Sequence, residues 1–453
     1  MTYTETLDYL YAQLPMYHRI GAAAFKKDLT NIRAFCELLG HPQTKFPSIH
    51  IAGTNGKGST AHMLAAIFTG RGMKTGLYTS PHYRDFRERI KIDGALIPKK
   101  EIVTFVQQHR EFSENLRPSF FEWTVALAFD YFAREKVDIA IIETGLGGRL
   151  DSTNVITPLV SVITNIGYDH QQFLGDTLPL IAGEKAGIIK PGVPVVIGET
   201  QPETRTVFEA KAAELGTPIY FADQHFHAEL KRKSQTHSHF QVSYPNHSAL
   251  PFPITLNHLG DYQQKNLCTV LMTMQVFDNL PSNTSNTSNP SNPSNPSNPS
   301  NKSNKSNTSN PSTLSGLENL KQLTNFIGRW EFISQHPRIL CDSAHNEDGI
   351  RTTMQALSKI TFDRLHIVFG MVNDKAPEKI FSLLPPDATY YFAKANIPRG
   401  LDARILQQAA TGHGLQGKAY TSVRRALAAA RRKAGEKDLV FVGGSIFVVA
   451  EVL

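Results

Sequence analysis

Short apolar runs alternate with helical patterns along the first half of the chain. Residues 122–132 have the apolar spacing of a helix, and a second helical pattern follows Ser59. Runs rich in β-branched residues predict strands between these segments, at 48–52, 75–79, 137–142, 160–164, 193–197 and 218–221. This alternation is typical of an α/β domain with a mostly parallel sheet.

A second α/β alternation occupies the end of the chain. Its predicted strands are 338–341, 365–370, 388–393 and 439–443. Its predicted helices are 347–359, 401–410 and 421–434. We expect these elements to form a smaller, Rossmann-like domain.

The region between the two alternations is heterogeneous. Residues 225–256 predict irregular or β structure, and a helix is expected from Asp261 to about Leu280. Residues 281–312 consist of Ser-Asn-Pro and related triplets without apolar residues able to offset the entropy of ordering, so we expect a disordered insertion there. The following stretch, 314–328, has a helical pattern.

At 453 residues the chain is longer than one hydrophobic core usually serves, which favours two domains. We place an N-terminal domain at 1–280, an insertion and interdomain linker at 281–328, and a C-terminal domain at 329–453.

Composition narrows the classes of partner. The formal net charge of +7 is not concentrated in a basic run interleaved with aromatic residues, so we expect no nucleic-acid partner. The cysteines are too far apart in sequence for a metal or disulfide pattern. No apolar run approaches the ~20 residues that span a bilayer, and no signal peptide is recognisable. We therefore expect a cytoplasmic protein without a membrane partner.

A glycine-rich loop follows the first predicted strand. Gly53, Gly56 and Gly58 surround Lys57. Glycines let backbone N–H groups face an anion, and the N-terminus of the next helix adds partial positive charge. Lysine then reaches the β- and γ-phosphates, and a hydroxyl is available for Mg²⁺. We interpret Gly53, Thr54, Asn55, Gly56, Lys57, Gly58 and Ser59 as an ATP-binding loop; the alternative is a plain glycine turn between strand and helix.

Polar side chains follow several of the predicted strands. Glu143, Ser80 and His170 each lie at or near a carboxyl end, where ligands of parallel sheets collect. Hard oxygen donors suit Mg²⁺, and a neutral imidazole can complete a second metal site. Taken singly, Glu143 could be a capped strand end and His170 an ordinary core or surface residue. The plainer interpretation of Lys185 is an ordinary surface lysine. The alternative is a carbamylated lysine, whose anionic oxygens could bind a metal.

Three further segments carry candidate chemistry. Phe121, Glu122 and Trp123 offer aromatic faces and a carboxylate for a flat heterocycle, although they also begin an apolar helix. Residues 341–346 form another polar loop at a strand end, and Arg329 lies at the domain junction, within reach of phosphate.

In their order along the chain, these segments resemble the folylpolyglutamate synthase/dihydrofolate synthase family of the Mur ligase superfamily. The matching motifs are IHIAGTNGKGST, GLYTSPH, FRERIKIDG, FFEW, IIETGLGGRLDSTN, TNIGYDHQQFLG, IAGEKAGIIKPG, IGRWE and CDSAHN. The Ser/Asn/Pro tract is foreign to the family. The resemblance implies a P-loop ATPase-type N-terminal domain, a Rossmann-like glutamate ligase domain, and an active site between them.

The resemblance also implies roles for single residues. A pair of Mg²⁺ ions would be held by Ser80, Glu143 and His170, with Lys185 carbamylated. Asn266 and Asp342 would contact adenine and ribose, Arg329 the nucleotide phosphates, and His345 would lie near the reacting groups with Lys57 and Lys185. Folate would contact Leu29, Thr30, Phe121, Glu122, Trp123 and Asn154.

The activity that the resemblance implies is ATP-dependent ligation of L-glutamate to dihydropteroate, to the γ-carboxylate of reduced folates, or to both, by a monomer. One alternative is a peptidoglycan-precursor Mur ligase, but the 52 residues before Gly53 leave no room for the UDP-binding domain expected there. The other is a catalytically inactive nucleotide-binding homologue, for which we would expect erosion at Glu143, His170 or Lys185.

Overall fold

The structure is a computed structural model that describes residues 1–13, 28–245, 249–281, 311–373 and 377–453. The expected insertion at 281–312 falls mostly outside the described residues. The helices of the N-terminal part are α1 Tyr3–Gln13, α2 Thr30–Leu38, α3 Lys57–Gly70, α4 Lys99–Leu116, α5 Phe120–Arg134, α6 Gln171–Leu174, α7 Leu178–Ala186, α8 Pro202–Glu214, α9 Ala222–His225 and α10 Gln263–Asp278.

An eight-stranded sheet organises the N-terminal domain. Its strands are β1 Ser48–Ala52, β2 Thr75–Tyr78, β3 Ile90–Ile92, β4 Ala95–Leu96, β5 Ile139–Glu143, β6 Val160–Ile163, β7 Val195–Ile197 and β8 Ile219–Phe221. They lie in the order β4-β3-β2-β5-β1-β6-β7-β8. All neighbours pair in parallel except the edge pairs β2–β3 and β3–β4. The prediction of a mostly parallel α/β sheet is confirmed, whereas the antiparallel edge was not predicted.

Helix α3 lies at the centre of this domain, because its residues from Ser59 to Phe68 are all buried. A helix that is apolar on every side is one that other elements surround. Here the surroundings are the eight-stranded sheet, α10 and the two helices that follow the insertion, Pro311–Glu318 and Leu320–Thr324. A small antiparallel sheet made of β9 His227–Lys233, β10 Ser238–Ser243 and β11 Phe252–Leu256 packs on the same hydrophobic cluster. The first turn of α3, which carries the glycine loop, is therefore firmly anchored.

The stretch after the insertion is helical, as its sequence pattern predicts, and it packs on the N-terminal domain. It forms helices α11 Pro311–Glu318 and α12 Leu320–Thr324. Leu317 and Leu320 are fully buried in the same hydrophobic cluster as α3. Residues as far as Phe326 thus pack as part of the N-terminal core, so part of the segment assigned to the linker belongs to this core.

The C-terminal part forms a six-stranded sheet. The strands of this sheet are β12 Glu331–Gln335, β13 Arg338–Cys341, β14 Leu365–Phe369, β15 Thr389–Ala393, β16 Gly417–Tyr420 and β17 Leu439–Gly443. They lie in the order β12-β13-β17-β14-β15-β16, and only β12 is antiparallel to its neighbour. The helices of this part are α13 Glu347–Leu357, α14 Glu378–Phe381, α15 Ala403–Thr411, α16 Val423–Lys433 and α17 Ile446–Ala450. The Rossmann-like prediction agrees with this sheet.

Within the described residues, no helix has the length and apolar character needed to cross a membrane.

Candidate active site

A cavity of about 690 Å³ lies between the glycine loop and the C-terminal domain. The loop joins β1 to α3, and Gly56 has a positive φ of 85°. A Cβ at Gly56 would overlap the side-chain oxygen of Asn266, so both the backbone angle and the close approach require glycine. The predicted strand, glycine loop and helix are all present, and every residue from Gly53 to Ser59 lines the cavity.

The segment after β6 holds the glycine loop in place. The backbone N–H of Thr54 donates to the carbonyl of Asn165 at 2.9 Å, and that of Asn55 donates to the Asn165 side chain at 2.9 Å. The N–H of Gly167 donates to the Thr54 hydroxyl at 2.9 Å. The loop shape is therefore set before any ligand binds.

Two lysines converge on this loop. The Nζ of Lys57 donates to the carbonyls of Gly53 at 2.9 Å and Thr54 at 3.3 Å. The Nζ of Lys185, on α7, donates to the same Gly53 carbonyl at 2.9 Å. Burial and the charge of Lys57 lower the pKa of Lys185 to about 7. Lys185 is thus a buried residue, only 3% exposed, and not the surface lysine of the plainer interpretation.

Glu143 ends β5 beside the loop. Its carboxylate is buried, and its Oε2 accepts a hydrogen bond from the backbone N–H of Ser80 at 3.2 Å. Burial raises the pKa of Glu143 to about 7 against the opposing charge of Lys57. A bound cation would favour the ionised form of this carboxylate.

Ser80, Glu143 and His170 line the same cavity. No three His, Cys, Asp or Glu side chains come together as a metal-binding group among the described residues. The carboxylate of Glu143 and the hydroxyl of Ser80 are nevertheless the hard donors that Mg²⁺ prefers, and they fit this ion. His170, held at a φ of 50° before α6, is partly exposed on the cavity wall.

The C-terminal domain supplies the opposite wall. His345 has its Nδ1 3.0 Å from the carbonyl of Ser343 and its Nε2 3.4 Å from the carboxylate of Asp169. Asn346 exchanges two amide hydrogen bonds with Asn55 of the glycine loop, at 3.0 and 3.3 Å. The two domains therefore meet directly across the predicted phosphate site.

The predicted nucleotide residues Asn266, Arg329 and Asp342 also lie on the cavity wall. Asp342 accepts hydrogen bonds from the Tyr262 hydroxyl at 2.7 Å and the Trp330 N–H at 2.9 Å. Tyr262 precedes α10 and Asp342 follows β13, so this carboxylate also ties the two domains together.

Of the predicted folate residues, Phe121 and Glu122 line the cavity. The Phe121 ring packs against Gly145, where a Cβ would collide with it. Glu122 also has a structural role, since its Oε2 accepts the N–H of Ser119 at 2.6 Å while the Ser119 hydroxyl accepts the N–H of Glu122. This reciprocal pair is a capping box that begins α5.

The other residues predicted to bind folate do not line the cavity, and their assignment stays a prediction. Trp123 is 1% exposed and packs edge-on against the rings of Phe35 and Phe105, because it lies on the core side of α5. Asn154 is also absent from the cavity wall. Its Nδ2 donates hydrogen bonds to the carbonyls of Arg149 and Gly187, at 3.0 Å each. Leu29 packs on the hydrophobic core, and neither it nor Thr30 lines the cavity, whereas the neighbouring Asp28 does.

Sequence reasoning missed two polar residues that line the cavity, the buried Arg89 and the partly exposed Asp169. Arg89, only 2% exposed, lines the cavity, donates to His82 at 2.8 Å and lies over the Phe120 ring at 5.3 Å. Asp169 accepts from Asn346 at 3.2 Å as well as facing His345. The available signals were the FRERI motif and the position of Asp169 directly before His170.

Comparison with known families agrees with this architecture. The model of the Mur ligase middle domain matches residues 51–274, and that of the Mur ligase glutamate ligase domain matches residues 328–446. The chain is therefore an ATP-dependent ligase of the Mur type.

Full-length relatives narrow the class. The chain is 32% identical to the folylpolyglutamate synthase of Lacticaseibacillus casei, with 100% of this chain and 98% of that protein covered. It is 31% identical to the dihydrofolate synthase/folylpolyglutamate synthase of Bacillus subtilis, with 94% of each covered. The structure of E. coli FolC in complex with DHPP and ADP is similar at a TM-score of 0.80 and 25% identity, covering 100% of this chain and 97% of that one. The chain belongs to the folylpolyglutamate synthase/dihydrofolate synthase family.

Proposed function

We propose that the protein uses ATP to join L-glutamate to dihydropteroate, to the γ-carboxylate of a reduced folate, or to both. The observation that carries this proposal is the convergence of Lys57, Lys185 and Glu143 on one glycine loop, in a cavity closed by the second domain. The names of the L. casei and B. subtilis relatives point to the same pair of reactions.

The chemistry follows from the weakness of a carboxylate as an acyl donor. Its oxygen attacks the γ-phosphorus of ATP, the bond to the β-phosphate oxygen breaks, and ADP leaves. The amine of glutamate then attacks the acyl carbon, phosphate leaves, and the amine loses a proton as the amide forms. Lys57 and the loop N–H groups would stabilise the charge that moves off the γ-phosphate.

Ser80, Glu143 and His170 are our proposed ligands for Mg²⁺, which would neutralise phosphate charge when bound. We also propose that Lys185 is carbamylated: its nitrogen bonds to the carbon of CO₂ and releases a proton. Two ammonium groups at one carbonyl repel each other, and a carbamate would replace one of them with an anion that suits a metal.

The remaining assignments support the same reaction. Arg329, Asn266 and Asp342 would bind the nucleotide, His345 would lie near the incoming amine, and Phe121 would flank the acceptor's ring system. Closure through Asn55 and Asn346 would exclude water from the acyl phosphate, which hydrolyses readily. A cytoplasmic monomer without nucleic-acid or membrane partners stays a prediction from the sequence.

The test is glutamate-dependent release of ADP, with dihydropteroate and tetrahydrofolate as separate acceptors. Release with one acceptor identifies the reaction, and release with both indicates a bifunctional enzyme. No glutamate-dependent release with either acceptor would contradict the proposal. Glutamate-independent ATP hydrolysis would instead favour a nucleotide-binding homologue that has lost ligase activity.

A further inference from the structure

Lys91 is a buried cation that none of the assignments above uses. It lies on the edge strand β3 and is only 3% exposed. Its Nζ donates to the carbonyl of Thr324 at 2.8 Å and to that of Asn325 at 3.4 Å, and lies 3.4 Å from Nε2 of His62. The three N–H donors of the ammonium group thus have three acceptors, which is what a buried lysine requires.

His62 connects this lysine to the phosphate loop. Its Nδ1 lies 2.8 Å from the carbonyl of Gly58, which can only accept, so Nδ1 carries the proton. Nε2 is then left as the acceptor for Lys91. Burial, together with the charge of Lys91, holds the pKa of His62 well below its usual value, which keeps the ring in this neutral form. A continuous chain of hydrogen bonds therefore runs from Gly58, beside Lys57, to residues 324 and 325.

Residues 324–329 lead directly to Arg329. Thr324 is the last residue of α12, and its carbonyl is one that a helix end leaves without an internal partner. The Phe326 ring lies 4.7 Å from that of His62 and 5.4 Å from that of His258. His258 Nε2 lies 2.8 Å from the carbonyl of Arg329. This side of the segment is thus anchored on the N-terminal domain.

A second anchor acts next to Arg329. The hydroxyl of Tyr83 donates to the carbonyl of Gly328 at 3.2 Å, and a Cβ at Gly328 would collide with the Tyr83 ring. The backbone that carries Arg329 is thereby held against the segment that follows β2. The Arg329 side chain shares the cavity with Lys57 and Glu143, and its charge is one of those that oppose the raised pKa of Glu143.

We propose that Lys91 and His62 are positioning residues that fix the distance between the phosphate loop and Arg329, and so act on nucleotide binding through Arg329. The inference rests on the proposed function only in taking Arg329 as a phosphate ligand. Neither residue needs to touch the nucleotide. Lys91 replaces the interactions that the end of α12 lacks, and His62 links them to the first turn of α3.

The test is a double-mutant cycle on the full chain, with affinity for β,γ-methylene-ATP as the readout. We expect Lys91→Met to weaken binding of the analogue about tenfold. This is the order of one charge-assisted hydrogen bond, here that between a displaced Arg329 and the phosphates. In an Arg329→Ala background, the same substitution should change binding less than about twofold, since a residue that acts through Arg329 has nothing left to act on. Equal losses in both backgrounds, or no loss in either, would overturn the proposal.

His62 provides a second route if Lys91→Met does not fold. Leucine at this position keeps an apolar contact with Phe326 but removes both polar contacts, so His62→Leu should weaken binding as Lys91→Met does. His62→Gln restores an acceptor near the place of Nε2 and should recover part of the affinity. Equal affinities for the leucine and glutamine variants would contradict the role of the hydrogen-bond chain.

Lys74→Met is the matched control. Lys74 also donates to a backbone carbonyl, that of Glu135 at 2.6 Å, but it does not line the cavity. Its replacement should leave nucleotide affinity unchanged. Because binding is measured without folate or glutamate, the cycle can succeed even if the ligation assay fails. No binding of the analogue by the unsubstituted protein would overturn this proposal.

Discussion

Lys57 and Lys185 donate to the same acceptor, the carbonyl oxygen of Gly53, each at 2.9 Å. Lys57 begins α3 and Lys185 lies in the last turn of α7, so the two amines approach from different elements. Two cations this close repel each other in a buried site. A bound phosphate would relieve the repulsion by attracting Lys57, and a carbamate would relieve it by changing the charge of Lys185.

The first prediction concerns the charge at position 185. Lys185→Ala should lower kcat for amide formation about 10- to 100-fold, the range for lost support of a bound metal. Added formate or acetate should recover part of the activity, because a small carboxylate can occupy the space of the carbamate. Steady-state assays with and without these anions measure both effects.

Lys211→Ala is the control for this variant. Lys211 lies on α8 and pairs with Glu214 at the surface, so its loss should neither lower kcat nor create a response to carboxylates. Unchanged activity in Lys185→Ala would remove Lys185 from the mechanism.

A second prediction separates a functional glycine from a merely structural one. Gly56 and Gly72 both have positive φ, 85° and 79°, but an added Cβ overlaps Asn266 at Gly56 and meets nothing within 4 Å at Gly72. Both alanine variants should lose about 1–2 kcal/mol of unfolding free energy from the backbone angle. Only Gly56→Ala should also lose ATP binding. Thermal unfolding measures the stability of both variants, and nucleotide titration measures their affinity for ATP. An equal loss of ATP affinity in Gly72→Ala would contradict this prediction.

Much of the fold could be predicted because its signals are local. The apolar runs marked the central parallel strands, and the glycine loop marked one wall of the cavity. The short edge strands β3 and β4 lack such runs. Their pairing depends on the neighbouring β2, which no local pattern shows.

The site was less predictable where it depends on tertiary contacts. Asp169 and His345 are far apart in sequence and meet only because the domains close. Helix geometry separates Phe121 from Trp123. At about 100° per residue, side chains two positions apart point to nearly opposite sides of α5, so Phe121 lines the cavity while Trp123 packs in the core.

A third prediction tests this distinction between Phe121 and Trp123. Phe121→Leu should raise KM for the folate acceptor about 3- to 10-fold, the value of one aromatic contact. Trp123→Phe should leave that KM unchanged and instead lower the unfolding free energy by about 1–3 kcal/mol, since it leaves a gap among Phe35 and Phe105. A raised folate KM in Trp123→Phe would instead support Trp123 as a folate contact.

The last prediction concerns closure across the cavity. Asn346 acts at two places, because its Oδ1 caps α13 by accepting the N–H of Gly349 at 2.9 Å and its Nδ2 donates to Asn55. Serine caps a helix about as well as asparagine but cannot span the gap to Asn55. Asn346→Ser should therefore keep its stability while closing less tightly, so that water reaches the acyl phosphate. We expect the number of ADP molecules released per amide formed to rise above one, measured by coupled ADP release and product chromatography.

The control is Asn319→Ser, at a surface position where the side chain donates to the Ser315 carbonyl. This variant should leave the ratio unchanged. A fully coupled Asn346→Ser enzyme would show that the amide pair does not control access of water.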